Sequence, residues 1–364
     1  MTYHVSMSSL LPICSALETS PGQGSVLATL VKVVGSAYRR PGAMMLVTAD
    51  GAVVGAISGG CLESDVRAHA ERVLVTGKPS LLHYDLARDD PVWGLGMGCK
   101  ADLDVLLEPL APGALPQHLA FTRELERTRR YGVVATVFRA EGEAVPVGAR
   151  LLLAQEPTRG GAAPGPAGDL ASDPLREAIL AAAWEALERR RVAVAEHRGP
   201  WGRVEVLYHV VVPPIALFAC GGGDAPPLVR LAEGLGWHAT RVQGDAQRTG
   251  LDAAPAPDAR TAAVVMTHNY ERDLALLGEL LPSPAGYVGI LGPRARTEQI
   301  LADLRARGVF PTDAQVARLH GPVGLDVGAE SAEEVALAIA AEVLAVFAGR
   351  EGGQLRSRKG AIHG

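Results

Sequence analysis

The sequence has no surplus of positive charge. Its formal net charge is −5, with lysine and arginine interspersed among the acids, so no basic field draws a phosphate backbone and nucleic acid is not an expected partner. The one cationic cluster, Arg356, Arg358 and Lys359, follows Gly352 and Gly353 at the extreme C-terminus, where a solvated, frayed tail is the better reading. No apolar run is long enough to span a bilayer. Met1 to Leu17 also lacks a basic stretch followed by a long apolar core, so neither membrane association nor a signal peptide is expected. Cysteine is scarce and scattered: Cys14, Cys61, Cys99 and Cys220 include no CxxC pair. That argues against a disulfide framework or structural zinc and fits a reduced, cytoplasmic compartment.

What is present is a chain of 364 residues, 48% of them hydrophobic, too long for one ordinary domain and apolar enough to fill two or three cores. Ser25 to Val34 is β-branched and apolar, Pro41-Gly42 breaks the pattern, and Met44 to Val47 and Val53 to Ile57 flank the turn Ala49-Asp50-Gly51. This reads as a strand, a loop and a hairpin. From Cys61 the period changes: Leu62, Val66, Ala70 and Val73 share one helical face, and Gly77-Lys78-Pro79 ends the helix. Leu103 to Leu107 is another strand, closed by Pro109.

The middle of the chain repeats this layout. Val26-Leu27-Ala28-Thr29 resembles Val133-Val134-Ala135-Thr136, and Gly42-Ala43-Met44-Met45-Leu46 resembles Gly148-Ala149-Arg150-Leu151-Leu152. A helix from about Pro174 to Arg190 matches the one starting at Cys61, and Gly202 to Leu207 matches Lys100 to Leu106. The expected unit is a β-β-β-α-β module, duplicated with loss of detail. Arg39-Arg40-Pro41, Ser58-Gly59-Gly60-Cys61 and Gly96-Met97-Gly98-Cys99 have no counterparts in the second copy. A feature needed only for folding should occur in both, so the chemistry belongs to the first.

Pro213-Pro214 then opens a different pattern. Ile215 to Ala219, Ala239 to Val242, Ala262 to Met266 and Tyr287 to Leu291 are short apolar strands alternating with helices, which implies a parallel sheet covered on both faces. Ser331 and Glu334 form a capping box ahead of a helix carrying Val335, Ile339, Val343 and Phe347, terminated by Gly349. The expected fold class is α/β: an N-terminal α+β module at 1–110, a degenerate second copy at 111–212 with a flexible insertion at 157–173, a Rossmann-like domain at 213–349 and a disordered tail at 350–364.

Several loops carry candidate chemistry, each with a plainer reading beside it. Ser58-Gly59-Gly60-Cys61 lies between a strand and a helix start, where converging amides would favour a thiolate nucleophile or soft-metal ligand at Cys61; the alternative is a small residue filling a tight turn. Arg39 and Arg40 would clamp an anion beside that turn, or sit solvated. Trp93-Gly94-Leu95-Gly96-Met97-Gly98-Cys99 would wrap backbone around something flat or anionic, or be a structural turn. The glycine loop Cys220-Gly221-Gly222-Gly223-Asp224 has the strand–turn–helix setting of a dinucleotide site. Its match is imperfect, because Pro226 stands where a glycine is wanted and Gln243, with Asp245 beyond it, where an acid would hold a ribose hydroxyl. Thr267-His268-Asn269-Tyr270 follows the third strand of this domain at its carboxyl edge, with Asp273 one turn on; His268 is an acid–base candidate or an ordinary strand-end residue. Gly289-Ile290-Leu291-Gly292-Pro293-Arg294 is a further anion loop or an ordinary β-to-α turn.

Taken in order along nearly the whole chain, these segments resemble the XdhC/CoxI family, accessory proteins that mature xanthine dehydrogenase and related molybdenum hydroxylases. The resemblance rests on Gly35-Ser36, Arg40-Pro41-Gly42-Ala43, Ser58-Gly59-Gly60-Cys61-Leu62-Glu63 and Trp93 to Cys99 in the first module. In the last domain it rests on Asp224-Ala225 with Pro227-Leu228, Thr267 to Tyr270, Gly289 to Gly292, Pro322 to Gly328 and Glu333 to Ala336. The resemblance implies a chaperone that binds molybdenum cofactor, shelters it during sulfuration by a cysteine desulfurase and delivers it to an apo-hydroxylase. Such a cofactor is a flat anion with a phosphate tail and a sulfur-bound metal, which suits arginines, glycine loops and soft cysteines.

The cofactor-binding set expected on this footing is Arg39, Arg40, Gly42, Ser58, Gly59, Gly60, Cys61, Glu63, Gly96, Gly98, Cys99, Gly221, Gly222, Gly223, Asp224, Thr267, His268, Asn269, Gly292 and Arg294, with Cys61 placed to contact molybdenum and no catalytic residue assigned. The sequence departs from the family pattern at Cys220, Gln243 and Lys100-Ala101. The first two argue against NAD(P) and hence against the rival reading, a nicotinamide-dependent oxidoreductase. A scaffold linking desulfurase to hydroxylase is a third reading, disfavoured by the cysteine and arginine loops. A homodimer is compatible with all three.

Overall fold

A computed structural model describes residues 10–19, 24–35, 37–86, 101–113, 115–142, 145–155, 167–170, 173–244 and 248–357. These divide into two compact units whose boundary in sequence is Pro213/Pro214. No helix among the described residues is long and apolar enough to cross a membrane.

The first unit holds two antiparallel sheets built to one plan. α1 (Leu10–Thr19) precedes β1 (Ser25–Gly35), β2 (Met44–Thr48), β3 (Val53–Gly55), α2 (Glu63–Thr76), β4 (Ser80–Asp85) and β5 (Ala101–Leu110), in the sheet order β3-β2-β1-β5-β4. α3 (Gln117–Arg127) then precedes β6 (Gly132–Ala140), β7 (Arg150–Ala154), β8 (Ala167–Gly168), α4 (Asp173–Arg189), β9 (Ala193–Gly199) and β10 (Gly202–Val211), in the order β8-β7-β6-β10-β9. Each module therefore has a leading helix and one strand more than the expected β-β-β-α-β. The extra strands β4 and β9 lie at sheet edges and are only partly buried, so they lack the strong apolar alternation that marks a strand in sequence.

In each sheet one face is covered by a helix. Val66, Ala70 and Val73 of α2 pack with Val26, Ala28 and Leu30 of β1, and Leu175, Ile179 and Ala183 of α4 pack with Val133, Ala135 and Val137 of β6. The modules meet through Val31 and Leu106 of the first and Phe138 and Leu207 of the second. Val31 is the residue skipped where the β1–β5 register shifts, and Phe138 is skipped at the equivalent shift between β6 and β10. The bulge thus recurs at matched positions, and each turns a large apolar residue toward the other copy. Ion pairs at the same interface are reciprocal: Lys32 Nζ lies 3.1 Å from Glu205 and Arg139 Nη2 lies 3.1 Å from Asp104.

The second unit is a five-stranded parallel sheet. β11 (Ala216–Gly221), α5 (Ala225–Gly234), β12 (His238–Val242), β13 (Thr261–Met266), α6 (Tyr270–Leu280), β14 (Tyr287–Ile290), α7 (Arg294–Ala306), α8 (Asp313–Val316), β15 (Leu319–His320) and α9 (Ala332–Phe347) follow in order. The sheet order is β12-β11-β13-β14-β15. Leu217 and Ala219 face α5 and α9, while Phe218 and Cys220 face α6 and α7, as a strand buried on both sides requires. The Ser331–Glu334 capping box is present. β15 has two residues and carries no strand pattern of its own. Of the expected tail, 350–357 is described and ends in a short turn, Leu355–Ser357; 358–364 lies outside the described residues, as does most of the expected insertion at 157–173.

Candidate functional site

The β2–β3 hairpin delivers residues 56–62 to the N-terminus of α2, and there the backbone turns on Ser58. Its buried Oγ accepts from the amides of Gly60, Cys61 and Leu62, each at 3.2 Å, and donates to Glu63 Oε2 at 2.5 Å. The same carboxylate accepts from Ser58 N at 2.9 Å and Leu62 N at 3.1 Å. Gly60 supplies the left-handed φ of +110° that the turn needs. Burial alone would raise the Glu63 carboxyl, but the bonds from Ser58 outweigh it and hold it below the ordinary glutamate value.

This corrects one expectation. The helix begins at Glu63, after Cys61, and the amides offered to the sulfur are taken by Ser58 and Glu63. Cys61 Sγ lies 3.4 Å from Ser58 Oγ and is partly exposed. Ser58 and Glu63 are therefore the internal lock of the turn, whatever else they touch.

Beside the turn is a cavity of about 640 Å3, lined by Tyr38, Arg39, Ser58, Gly59, Gly60, Cys61 and Glu63 together with apolar side chains. The Arg39 guanidinium lies 5.7 Å from the centroid of the Tyr38 ring, and its Nε is buried without a hydrogen-bond partner among the described residues. An unpaired buried N–H costs on the order of 1–3 kcal/mol, so this atom is positioned for an acceptor that the described residues do not supply. Leu86 and Leu103, which flank the glycine-rich loop, also line the cavity. The loop itself, with Gly96, Gly98 and Cys99, lies outside the described residues. Arg40 and Gly42 are not in the lining. Gly42 instead faces the second module, where a Cβ would come within 2.8 Å of His209 Cδ2.

In the second unit the loops after β11 and β13 meet at the point where strand order reverses, the usual ligand crevice of such sheets. Gly221 is demanded by packing, since a Cβ there would lie 2.5 Å from Met266 O, whereas Gly222 and Gly223 look onto open space. Asp224 stands at the N-cap of α5 but does not cap it; its carboxylate bonds His268 Nε2 at 2.6 Å. His268 adopts φ +58°, an uncommon conformation for a residue with a side chain. Pro226 and Pro227 remove two amides from the first turn of α5. Cys220 is fully buried, and burial pushes its thiol up to about 12, so it is packing. Arg241 bonds Gly222 O at 3.3 Å beside Gln243, and Asp245 lies outside the described residues.

Thr267 and Asn269 have local duties. Thr267 Oγ1 bonds Asp273 at 2.5 Å, and Asn269 caps α6 by accepting from Arg272 N at 3.1 Å. Arg294 points outward to Glu298 at 3.0 Å. The inward arginine is Arg296, which packs on Gly292 and bonds the buried Asp273 at 2.6 Å. Arg294 and Arg296 differ by half a helical turn, and the sequence alone did not give the phase of α7. Tyr38 was also missed, since a lone aromatic in a loop carries no pattern. Among the described residues no group of three His, Cys, Asp or Glu side chains is gathered to hold a metal.

Comparison with known proteins agrees with this layout. Residues 19–85 match the XdhC and CoxI family, and residues 217–343 match the XdhC Rossmann domain. The chain is 27% identical over 344 residues to a probable xanthine dehydrogenase subunit of Bacillus subtilis, covering 88% of this chain and 92% of that protein. It is 32% identical over 112 residues to the molybdenum cofactor insertion chaperone PaoD of Escherichia coli, 31% of this chain and 34% of that one. A crystal structure described as a xanthine dehydrogenase from Bacillus halodurans superposes with a TM-score of 0.71 at 27% identity, covering 96% of this chain and 99% of that chain.

Proposed function

The chain belongs to the XdhC and CoxI family, and from that premise we propose that it is a maturation factor that binds molybdenum cofactor and hands it to a xanthine dehydrogenase-type molybdenum hydroxylase. The name of one relative, the molybdenum cofactor insertion chaperone PaoD, supports a role in maturation, and that of another, a probable xanthine dehydrogenase subunit, supports the class of enzyme served. The observation that carries the binding site is the cavity that Arg39, whose buried Nε has no partner among the described residues, lines together with the Cys61 thiol. A guanidinium is the group of choice for a phosphate or other oxyanion, and a thiol is a soft partner for a sulfur-ligated metal. Gly59 and Gly60 leave the backbone bare between them. In this reading Arg39 anchors the anionic end, Ser58 and Glu63 keep the turn rigid, and Cys61 faces the metal end. Sulfuration by a cysteine desulfurase before handover completes the proposal.

The test uses full-length protein made in cells that synthesise the cofactor. Wild type should carry pterin and Arg39→Met should carry several-fold less, with unchanged melting. Equal pterin in both would remove the cavity from the account. The oxidoreductase alternative gains nothing from the crevice of the second unit, where two prolines and a carboxylate occupy the anion-binding end of α5.

A further inference from the structure

α9 is apolar on the side that faces away from the sheet. Its inner residues Ile339 and Val343 pack with Leu217 of β11 and Val264 of β13. Glu342, the one charged residue of the helix beyond Glu334, turns inward, where it accepts from Tyr287 Oη and from Gly324 N. The outward stripe is Leu337, Ala341, Leu344 and Ala348, with Leu337 58% and Leu344 43% exposed. A surface helix ordinarily carries polar residues on that side, so this face has the composition of one that is covered. α5 flanks it through the Arg230–Glu333 pair at 3.5 Å. On the opposite flank Leu325 N bonds Ala338 O at 3.2 Å, and the exposed Val327 follows two residues on.

We infer that this face of α9 docks on the same face of a second copy of the chain, antiparallel, about a twofold axis between Ala341 and Leu344. The stripe has the 4-3-4 spacing of a heptad seam and alternates large with small residues. Antiparallel pairing brings Leu337 onto the partner's Ala348 and Leu344 onto the partner's Ala341, each large side chain over a small one. Every contact is then made twice, as an isologous interface requires. Charge sets the direction. Glu330, Glu333 and Glu334 stand at the N-terminal end of α9, and Arg350 follows its C-terminal end. Parallel copies would set these carboxylates against themselves, whereas antiparallel copies set them beside the partner's Arg350 and oppose the two helix dipoles. An unlike partner would need neither the Leu–Ala alternation nor its symmetry about the midpoint of the stripe. One helix pair is small beside the about 1,200 Å2 of a standard interface, so the dimer is a reversible one. The inference does not depend on the cofactor reading.

Sedimentation equilibrium of the full-length chain under reducing conditions tests the pairing. Wild type should show a monomer–dimer equilibrium in the micromolar range. Ala341→Glu and Leu344→Lys should each raise its dissociation constant about 10²–10³-fold, because a symmetric interface meets every change twice. Both sites are on the solvent side of the helix, so circular dichroism should be unchanged. The two variants mixed in equal amounts should dimerise again, since residue 341 of one copy then meets residue 344 of the other as an ion pair, while the second crossing keeps its native Ala–Leu contact. A tag on one variant shows that the restored dimer holds one copy of each. Wild type that stays monomeric would overturn the inference and leave the face to a different protein. A dimer untouched by both substitutions would place the interface elsewhere and overturn it equally. Loss of the dimer in each variant without recovery on mixing would overturn the antiparallel pairing.

Discussion

Gly42, ahead of β2, lies against the imidazole of His209 on β10: a Cβ there would sit 2.8 Å from Cδ2. The contact is made twice. Gly148, the matching residue of the second module, lies against Glu108 of the first, where a Cβ would sit 2.8 Å from Oε1. Both glycines have positive φ, +98° and +94°. Gly42→Ala is therefore expected to destabilise the first unit by about 1–3 kcal/mol through strain and overpacking, and Gly148→Ala by a similar amount. Urea unfolding checks this, and an unshifted midpoint for both variants would refute the interlocking contact.

His209 is buried, and burial takes its imidazole down to about 4; His118 is pushed well below its ordinary value by burial, with Arg150 and His209 adding to the effect. Arg150, paired with Glu108, faces the same interface. The unfolded chain protonates these histidines near pH 6.5 while the folded chain does not. Stability is thus fully present above about pH 6.5 and is lost as pH falls toward about 4, at up to ~1.4 kcal/mol per pH unit for each group. Urea midpoints measured from pH 7.5 down to 5 should fall, and His209→Gln should flatten the slope. A slope unchanged by that substitution would exclude His209 as its source.

Glu126 on α3 works in the opposite sense. It is 8% exposed, and burial raises its carboxyl to about 7. The folded chain keeps the proton that the unfolded chain gives up, so this contribution is fully present below the unfolded value and disappears as pH rises through 7. The cost at pH 8 is roughly 2–3 kcal/mol. Glu126→Gln should raise stability at pH 8 and leave it nearly unchanged at pH 4, which chemical denaturation at the two pH values would separate. Cys14, nearby and also raised by burial, must be kept reduced in both measurements.

Removing the lock of the cysteine turn should be visible at the backbone. Glu63→Ala deprives the Ser58 and Leu62 amides of their acceptor, a loss of about 1–3 kcal/mol. Hydrogen exchange at Gly60, Cys61 and Leu62 should accelerate while exchange in β6 and β10 stays as it was. Uniform protection after the substitution would show that the turn is held by something else.

How far these features were legible in the sequence depends on whether they are periodic. The helix carrying Val66, Ala70 and Val73, the parallel strands and the Ser331 cap are local patterns, and they were readable. The duplication was readable from short matches, and the features missing from its second copy pointed to Arg39 and Cys61, which do line one cavity. The exchange of partners between modules, Lys32 with Glu205 and Arg139 with Asp104, was not readable, because it joins strands far apart in sequence. The amides near Cys61 were misjudged for a related reason: Ser58 and Glu63 compete for them, and hydrogen-bond competition within a turn depends on geometry rather than spacing.

The crevice of the second unit leads to the last prediction. A dinucleotide fold usually offers three things: a first glycine, free amides at the helix start, and an acid for the ribose. Here the first is Cys220, buried in the core. The helix start is Ala225-Pro226-Pro227, so two of the amides that would meet a pyrophosphate do not exist. In the acid's place stands the neutral Gln243, beside Arg241, which is already bonded to Gly222 O. A carboxylate, Asp224, also stands at the positive end of α5 and would repel a phosphate brought there. NAD should accordingly bind more weakly than about 1 mM, less than ~4 kcal/mol of binding free energy. Gln243→Asp alone should not rescue it, because the ribose acid cannot replace missing amides. Calorimetry on the full-length chain decides the matter: micromolar binding by wild type would show that the crevice works without these groups and would return the oxidoreductase reading to contention.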